Sequence, residues 1–174
     1  MRRETMIKAM RIAISNVMEK MFFQPLQFSS NNATLPEWFS EKQGLVGAAL
    51  DFNGPSEGSM YLVLPAAMGS TVTADFLGLE NEEISEAQLR DTVKEALNMI
   101  GGQVLSLCDR SGAFTLGIPK FIEESELTRA RLEGLNGDAI LIETENDRFA
   151  VGIFVYSNEK GTKGDGEEDQ SIGN

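Results

Sequence analysis

The sequence contains no histidine. That absence removes the commonest general base, the commonest metal ligand and every His-based catalytic triad. Cysteine is reduced to one residue, Cys108, so no disulfide can form within the chain. This fits a reducing compartment. A lone thiol with no histidine to activate it reads as a small buried hydrophobe, not a nucleophile. Positive charge is short as well. Fifteen Lys and Arg face 27 Asp and Glu, for a formal net charge of −12. Nucleic-acid binding needs cations that neutralise phosphates, and anionic membranes attract the same cations. Neither is an expected partner, whereas a protein with a basic patch is. No apolar run reaches the ~18 residues that a membrane span needs. The opening stretch, MRRETMIKAMRIAISNVMEKMFF, is interrupted by Glu4, Lys8, Arg11, Glu19 and Lys20. It does not read as a signal peptide, and the expected compartment is the cytoplasm.

What remains is a foldable chain, with 174 residues of which 41% are apolar, enough for one domain with a real core. Ile7, Met10, Ile14, Val17, Met18 and Met21 recur at helical spacing, predicting a helix over 5–23 that Pro25 helps to end. Residues 26–43 read as an irregular strand or loop, with Trp38 as a packing residue. Strands are expected at 44–52 and 58–65, joined by the Asn53-Gly54-Pro55-Ser56 turn. A helix over 65–78 has Pro65 at its start and Gly78 as its C-terminal cap. Ser85 and Gln88 form a capping-box pattern ahead of a helix over 86–108. Further strands are expected at 113–123, 138–145 and 148–157, the last two closed by Asn146-Asp147. The main domain is 1–157. The tail, 158–174, is acidic and Gly-rich and reads as disordered.

The expected class is α+β, with long helices packed on a mainly antiparallel sheet. The two halves look alike, each beginning with a long amphipathic helix and ending in a hairpin. Ser15-x3-Glu19-x2-Phe22 aligns with Asp91-x3-Glu95-x2-Asn98, which suggests an internal duplication.

The second of these helices carries the most readable chemistry. With Asp91 at zero, Glu95 falls at roughly 40°, Asn98 at roughly 340° and Gly102 at roughly 20° around the axis. Leu89, Val93, Ala96, Leu97, Ile100, Val104 and Leu107 fall on the opposite side. Two acids and an amide therefore share the polar face. Such sets are common on solvated helices. Yet Asn is a mediocre helix former and Gly102 a costly one, so both need a reason to be there. A small residue at 102 would let another backbone come close, and the Gly101-Gly102 pair would also permit a kink. Asp91 and Glu95 as an acid/base pair would need burial to separate their pKa values, which an open face does not supply.

DTVKEALNMIGGQVL, with Pro119 downstream of Asn98, resembles the CheC/CheX/FliY family of chemotaxis phosphatases. That family's signature is Asp or Ser, three residues, Glu, two residues, Asn, then Pro roughly twenty residues on. A single such motif, in the second half, is similar to CheX and not to CheC, which carries two. The resemblance implies an aspartyl-phosphate phosphatase acting on a phosphorylated CheY-like response regulator, and a homodimer. It implies no cofactor or metal of the chain's own, because the regulator brings its own Mg²⁺. It also assigns Asn98 to orienting the attacking water and Glu95 to a regulator lysine, making these two the catalytic pair. Asp91 and Gly102 would be partner-binding. A non-catalytic module of the same fold, such as a flagellar-switch scaffold that binds a regulator, is the alternative. Phe22 stands where Asn98 stands in the other half, and a phenyl ring cannot orient water. The first helix is therefore expected to carry no second site, its ring covered by a neighbouring element or a subunit interface.

Overall fold

The computed structural model describes residues 3–39, 43–135 and 137–156. The tail expectation falls outside these residues. Seven strands form one sheet in the order β1-β6-β7-β3-β2-β4, with β5 also on β2, and every pairing is antiparallel. The strands are β1 (Gln27–Phe28), β2 (Leu45–Asn53), β3 (Glu57–Pro65), β4 (Thr115–Leu116), β5 (Lys120–Ile122), β6 (Asp138–Glu143) and β7 (Arg148–Tyr156). The helices are α1 (Arg3–Lys20), α2 (Leu35–Trp38), α3 (Ala66–Leu77), α4 (Glu86–Cys108) and α5 (Arg129–Gly134). The expected class holds.

Strand alternation divides the core between the two faces of the sheet. Val46, Ala48, Leu50 and Phe52 of β2, Met60, Leu62 and Leu64 of β3, and Phe149, Val151 and Ile153 of β7 point to one face. There they meet the buried stripes of α1, α3 and α4. Leu45, Tyr61, Val63, Leu141 and Ala150 point to the other face, where α2 and α5 cover them with Leu35, Trp38 and Leu132. Trp38 packs as expected, and its indole N–H donates to the Phe149 carbonyl at 3.1 Å.

The duplication is visible in the pairing. Exchanging β1 with β4, β2 with β6 and β3 with β7 reverses the strand order and leaves it otherwise unchanged. The two hairpins meet along β3 and β7, and each half's short first strand lies on the other half's hairpin. α1 packs beside α4, with Asn16 donating to Gln103 at 3.4 Å.

Several local expectations are corrected. α1 ends at Lys20, not 23. The amide of Phe22 reaches back to the Val17 carbonyl and that of Gln24 to the Met18 carbonyl. The chain reverses through Phe23 at φ 54°, so Phe22 matches Asn98 in sequence but lies past the helix end. Pro65 closes β3, and α3 begins one residue later. The expected strand over 113–123 is two short strands with a break at 117–119. β1 falls within the irregular strand or loop expected at 26–43, whereas the short helices α2 and α5 are not in the sequence reading. Leu107, expected on the core stripe, is 46% exposed.

Phe22 is fully buried, its ring 4.9 Å from that of Phe76 on α3. A neighbouring element therefore covers it. Replacing it by the amide of the other half, Phe22→Asn, removes a large core side chain and buries an unpartnered polar group. The expected cost is about 3–5 kcal/mol, measured by urea denaturation, with no second site gained.

Tyr61 lies across the sheet from Gly152, and only a glycine leaves room there for its ring. Its hydroxyl is buried without a hydrogen-bond partner among the described residues. Burial, helped by the nearby negative charge of Asp138, pushes its pKa up from 10.0 to about 12. The native state thus favours the neutral phenol. The resulting stabilisation is complete below pH 10 and fades as pH rises toward 12. Wild type is expected to lose on the order of 2–3 kcal/mol across that window. Tyr61→Phe should flatten the alkaline slope and gain about 1 kcal/mol at neutral pH. Denaturation midpoints at several pH values check both.

Candidate functional site

The site begins with the cap of α4. Ser85 Oγ accepts the Gln88 amide at 3.2 Å, and Gln88 Oε1 accepts the Ser85 amide at 2.9 Å. This fixes where the helix starts. Val93, Ala96, Leu97, Ile100 and Val104 are buried in the main core and fix its rotation. The opposite side is thereby presented outward. Asp91 and Glu95 are exposed and Asn98 is half-buried. The helix runs unbroken through Gly101 and Gly102.

Asn98 Nδ2 donates to Glu95 Oε2 at a long 3.4 Å. Asp91 is engaged otherwise: Lys94 Nζ lies 2.9 Å from its Oδ1. The cation that relieves the two acids thus comes from the helix itself and sits on Asp91. Among the described residues Glu95 has no cationic partner, so it is the carboxylate left for a cation from outside.

Pro119 joins this group from the β4–β5 connection. An open groove of about 520 Å³ is lined by Asp91, Glu95, Lys94 and Pro119, together with Ile118 and with Phe76 and Leu77 at the end of α3. Asn98 lies one turn beyond these groove-lining residues of α4. Sequence reasoning missed Lys94, Phe76, Leu77 and Ile118. The Gly and Pro of GIP inside a strand pattern were the available signal for a break there.

Gly102 closes the strip. It is half-buried, and Leu116 of β4 already stands 3.7 Å from where its Cβ would be. Gly101 is the tighter neighbour, since a Cβ there would meet Met60 Sδ at 3.3 Å and Leu116 Cδ2 at 3.4 Å. Cys108 ends the helix half-buried, and burial pushes its thiol pKa up, away from thiolate chemistry.

Among the described residues no group of three or more Cys, Asp and Glu is placed to hold a metal. No helix among them is long and apolar enough to cross a membrane.

A family model described as chemotaxis phosphatase CheX matches residues 46–143, more than half of the chain. The chain belongs to the CheX family. The matched span contains the whole of α4 and Pro119. Solved structures of CheX and its relatives share the fold. CheX from Vibrio vulnificus superposes with a TM-score of 0.67 at 18% identity, over 87% of this chain and 96% of that one. The CheX of a CheX–CheY–BeF3–Mg²⁺ complex from Borrelia burgdorferi gives 0.58 at 15% identity, over 87% and 97%. FliY from Thermotoga maritima gives 0.55 at 14%, over 91% and 92%. No curated protein matches the chain by sequence. Membership of the CheX family places the chain, at family level, with proteins described as chemotaxis phosphatases.

The two glycines give a test of the packing. Gly102→Ala adds a methyl where there is room and removes a flexible residue from a helix interior. It should stabilise the isolated chain by roughly 0.5–1 kcal/mol. Gly101→Ala should show no such gain, because its methyl presses on Met60 and Leu116. Urea midpoints of the two variants separate these outcomes.

Proposed function

We propose that the chain hydrolyses the aspartyl phosphate of a CheY-like response regulator. The observation that carries this reading is the pairing of Glu95 and Asn98 on one rigid outward face of a capped helix, with Glu95 lacking a cation of its own among the described residues. The partner class is supported by the CheX family match and by the CheY present in the Borrelia burgdorferi complex.

In this reading Glu95 docks on a regulator lysine and sets the register of α4 in the regulator's cleft. Asn98 then enters beside the phosphoryl group. Its amide both donates and accepts, so it holds a water in line with the P–O bond to be broken. The long bond to Glu95 is weak, and little is lost when the amide turns to the water. Water oxygen bonds to phosphorus as the acyl oxygen leaves, giving inorganic phosphate and a free aspartate. An acyl phosphate has a carboxylate leaving group, so positioning is the main requirement and no histidine base is needed. The Mg²⁺ belongs to the regulator, and its role is to neutralise charge on the phosphoryl oxygens. Asp91, held by Lys94, contributes to the docking surface, and Gly102 leaves space beside Asn98 for the partner's backbone. On the family ground alone the protein would act in the cytoplasm, as a homodimer.

The test is phosphate loss from phosphorylated regulators of the same organism. Asn98→Ala should slow catalysed hydrolysis at saturation by about 100-fold or more, with binding nearly unchanged. Glu95→Ala should weaken binding about tenfold. An Asn98→Ala variant as fast as wild type would sink the reading. Binding that leaves the phosphate lifetime unchanged would make the chain a scaffold.

A further inference from the structure

The break between β4 and β5 has a definite geometry. Gly117 donates its amide to Asp51 of β2 at 2.7 Å, and Lys120 pairs with Ala49. Two residues, Ile118 and Pro119, therefore stand opposite the single residue Leu50. This is a β-bulge, which redirects side chains and is pinned by the ladder on both sides. Pro119 has no amide to offer a ladder bond. The bulge leaves Ile118 87% exposed, the most exposed large apolar side chain among the described residues.

Ile118 is not alone. Phe76 and Leu77 line the same groove and are also exposed. The end of α3 that carries them is locked by Gly78 in the left-handed conformation (φ 66°), with the Leu79 amide bonded to the Ala74 carbonyl at 3.0 Å. The buried ring of Phe22 supports Phe76 from beneath. Three apolar side chains are thus held toward solvent on fixed backbone, beside the Glu95 carboxylate, which has no cation among the described residues.

We infer that Ile118, with Phe76 and Leu77, is a preformed apolar grip that sets the affinity for the regulator. The inference rests on the proposed function and names a further contact at that site. Its occupant is the regulator face that carries the lysine for Glu95, with an apolar side chain next to that lysine. The charge complementarity follows from Glu95. The apolar part follows from side chains carried on backbone that the bulge and the cap have already fixed. An isoleucine side chain buried against a partner is removed from water, and truncating it forfeits that gain. Catalysis stays with Asn98, and Ile118 acts on affinity.

The experiment measures steady-state dephosphorylation and direct binding for the full chain, wild type, Ile118→Ser, Ile118→Leu and Asn98→Ala. Binding uses the regulator loaded with beryllium fluoride and Mg²⁺ as a stable stand-in for its phosphoryl form. Ile118→Ser should raise KM and Kd by about tenfold or more, leave kcat within twofold and leave the thermal midpoint unchanged. Ile118→Leu should restore affinity. Asn98→Ala should show the converse, with kcat lost and Kd kept. Wild-type Kd in Ile118→Ser overturns the grip while the proposed function stands. A loss of kcat at unchanged KM also overturns it. If wild type binds a regulator without turnover, the proposed activity fails and the grip is judged on Kd alone. If wild type neither binds nor turns over any regulator, both fall.

Discussion

The rotation of α4 about its own axis governs the rest of the site. Val93, Ala96, Leu97, Ile100 and Val104 enter the core between the sheet and α1, and burying such a stripe is worth several kcal/mol. Turning the helix by one residue would bring Glu95 to the place of Ala96 in one sense, and Lys94 and Asn98 to the places of Val93 and Leu97 in the other. The cost of that exchange is what holds Glu95 and Asn98 outward. The reciprocal Ser85–Gln88 bonds add a fixed starting point. Positioning chemistry depends on sub-ångström placement, and a helix locked by its own core supplies placement of that kind.

α3 serves both halves of the duplicated fold. Phe76 covers Phe22 at the end of α1 and also borders the groove beside Asp91 and Glu95. The half without the amide is not an idle surface. Its phenyl ring sits in the core and lies under one wall of the groove. A single sequence difference between two aligned positions, Phe against Asn, therefore has opposite structural results: one side chain becomes core and the other stays at the surface.

Features set by neighbouring residues were legible in the sequence. The capping box at Ser85, the Gly78 cap and the phase of Asp91, Glu95 and Asn98 all depend on a few consecutive positions. So does the β2–β3 hairpin. Features set by distant contacts were not. AFTLGIPKFIE alternates as a strand should, and only pairing with β2 shows that two of its residues face one. Leu107 fits the apolar stripe of α4 by phase. Which side of that last turn is covered depends on β4, whose Leu116 lies against Gly101 and Gly102. α5 spans only six residues, too few to show a period. The charge balance at the site was half visible: the acids were plain, but Lys94 attaching to Asp91 and not Glu95 is a matter of side-chain geometry.

The exchange of short strands has a consequence for how such a protein holds together. β1 completes the second hairpin's edge, and β4 and β5 complete the first hairpin's. Neither repeat can shield its own sheet edge, and an unshielded edge is a template for unwanted pairing. The repeats are therefore interlocked and not merely adjacent, and folding must bring residues from opposite ends of the chain together before either unit is closed. Such an arrangement makes the first repeat indispensable to the second. Deleting it would strip the second repeat of a border strand and α4 of a packing partner. A duplication of this kind lets the surface of one copy change without freeing that copy from the architecture.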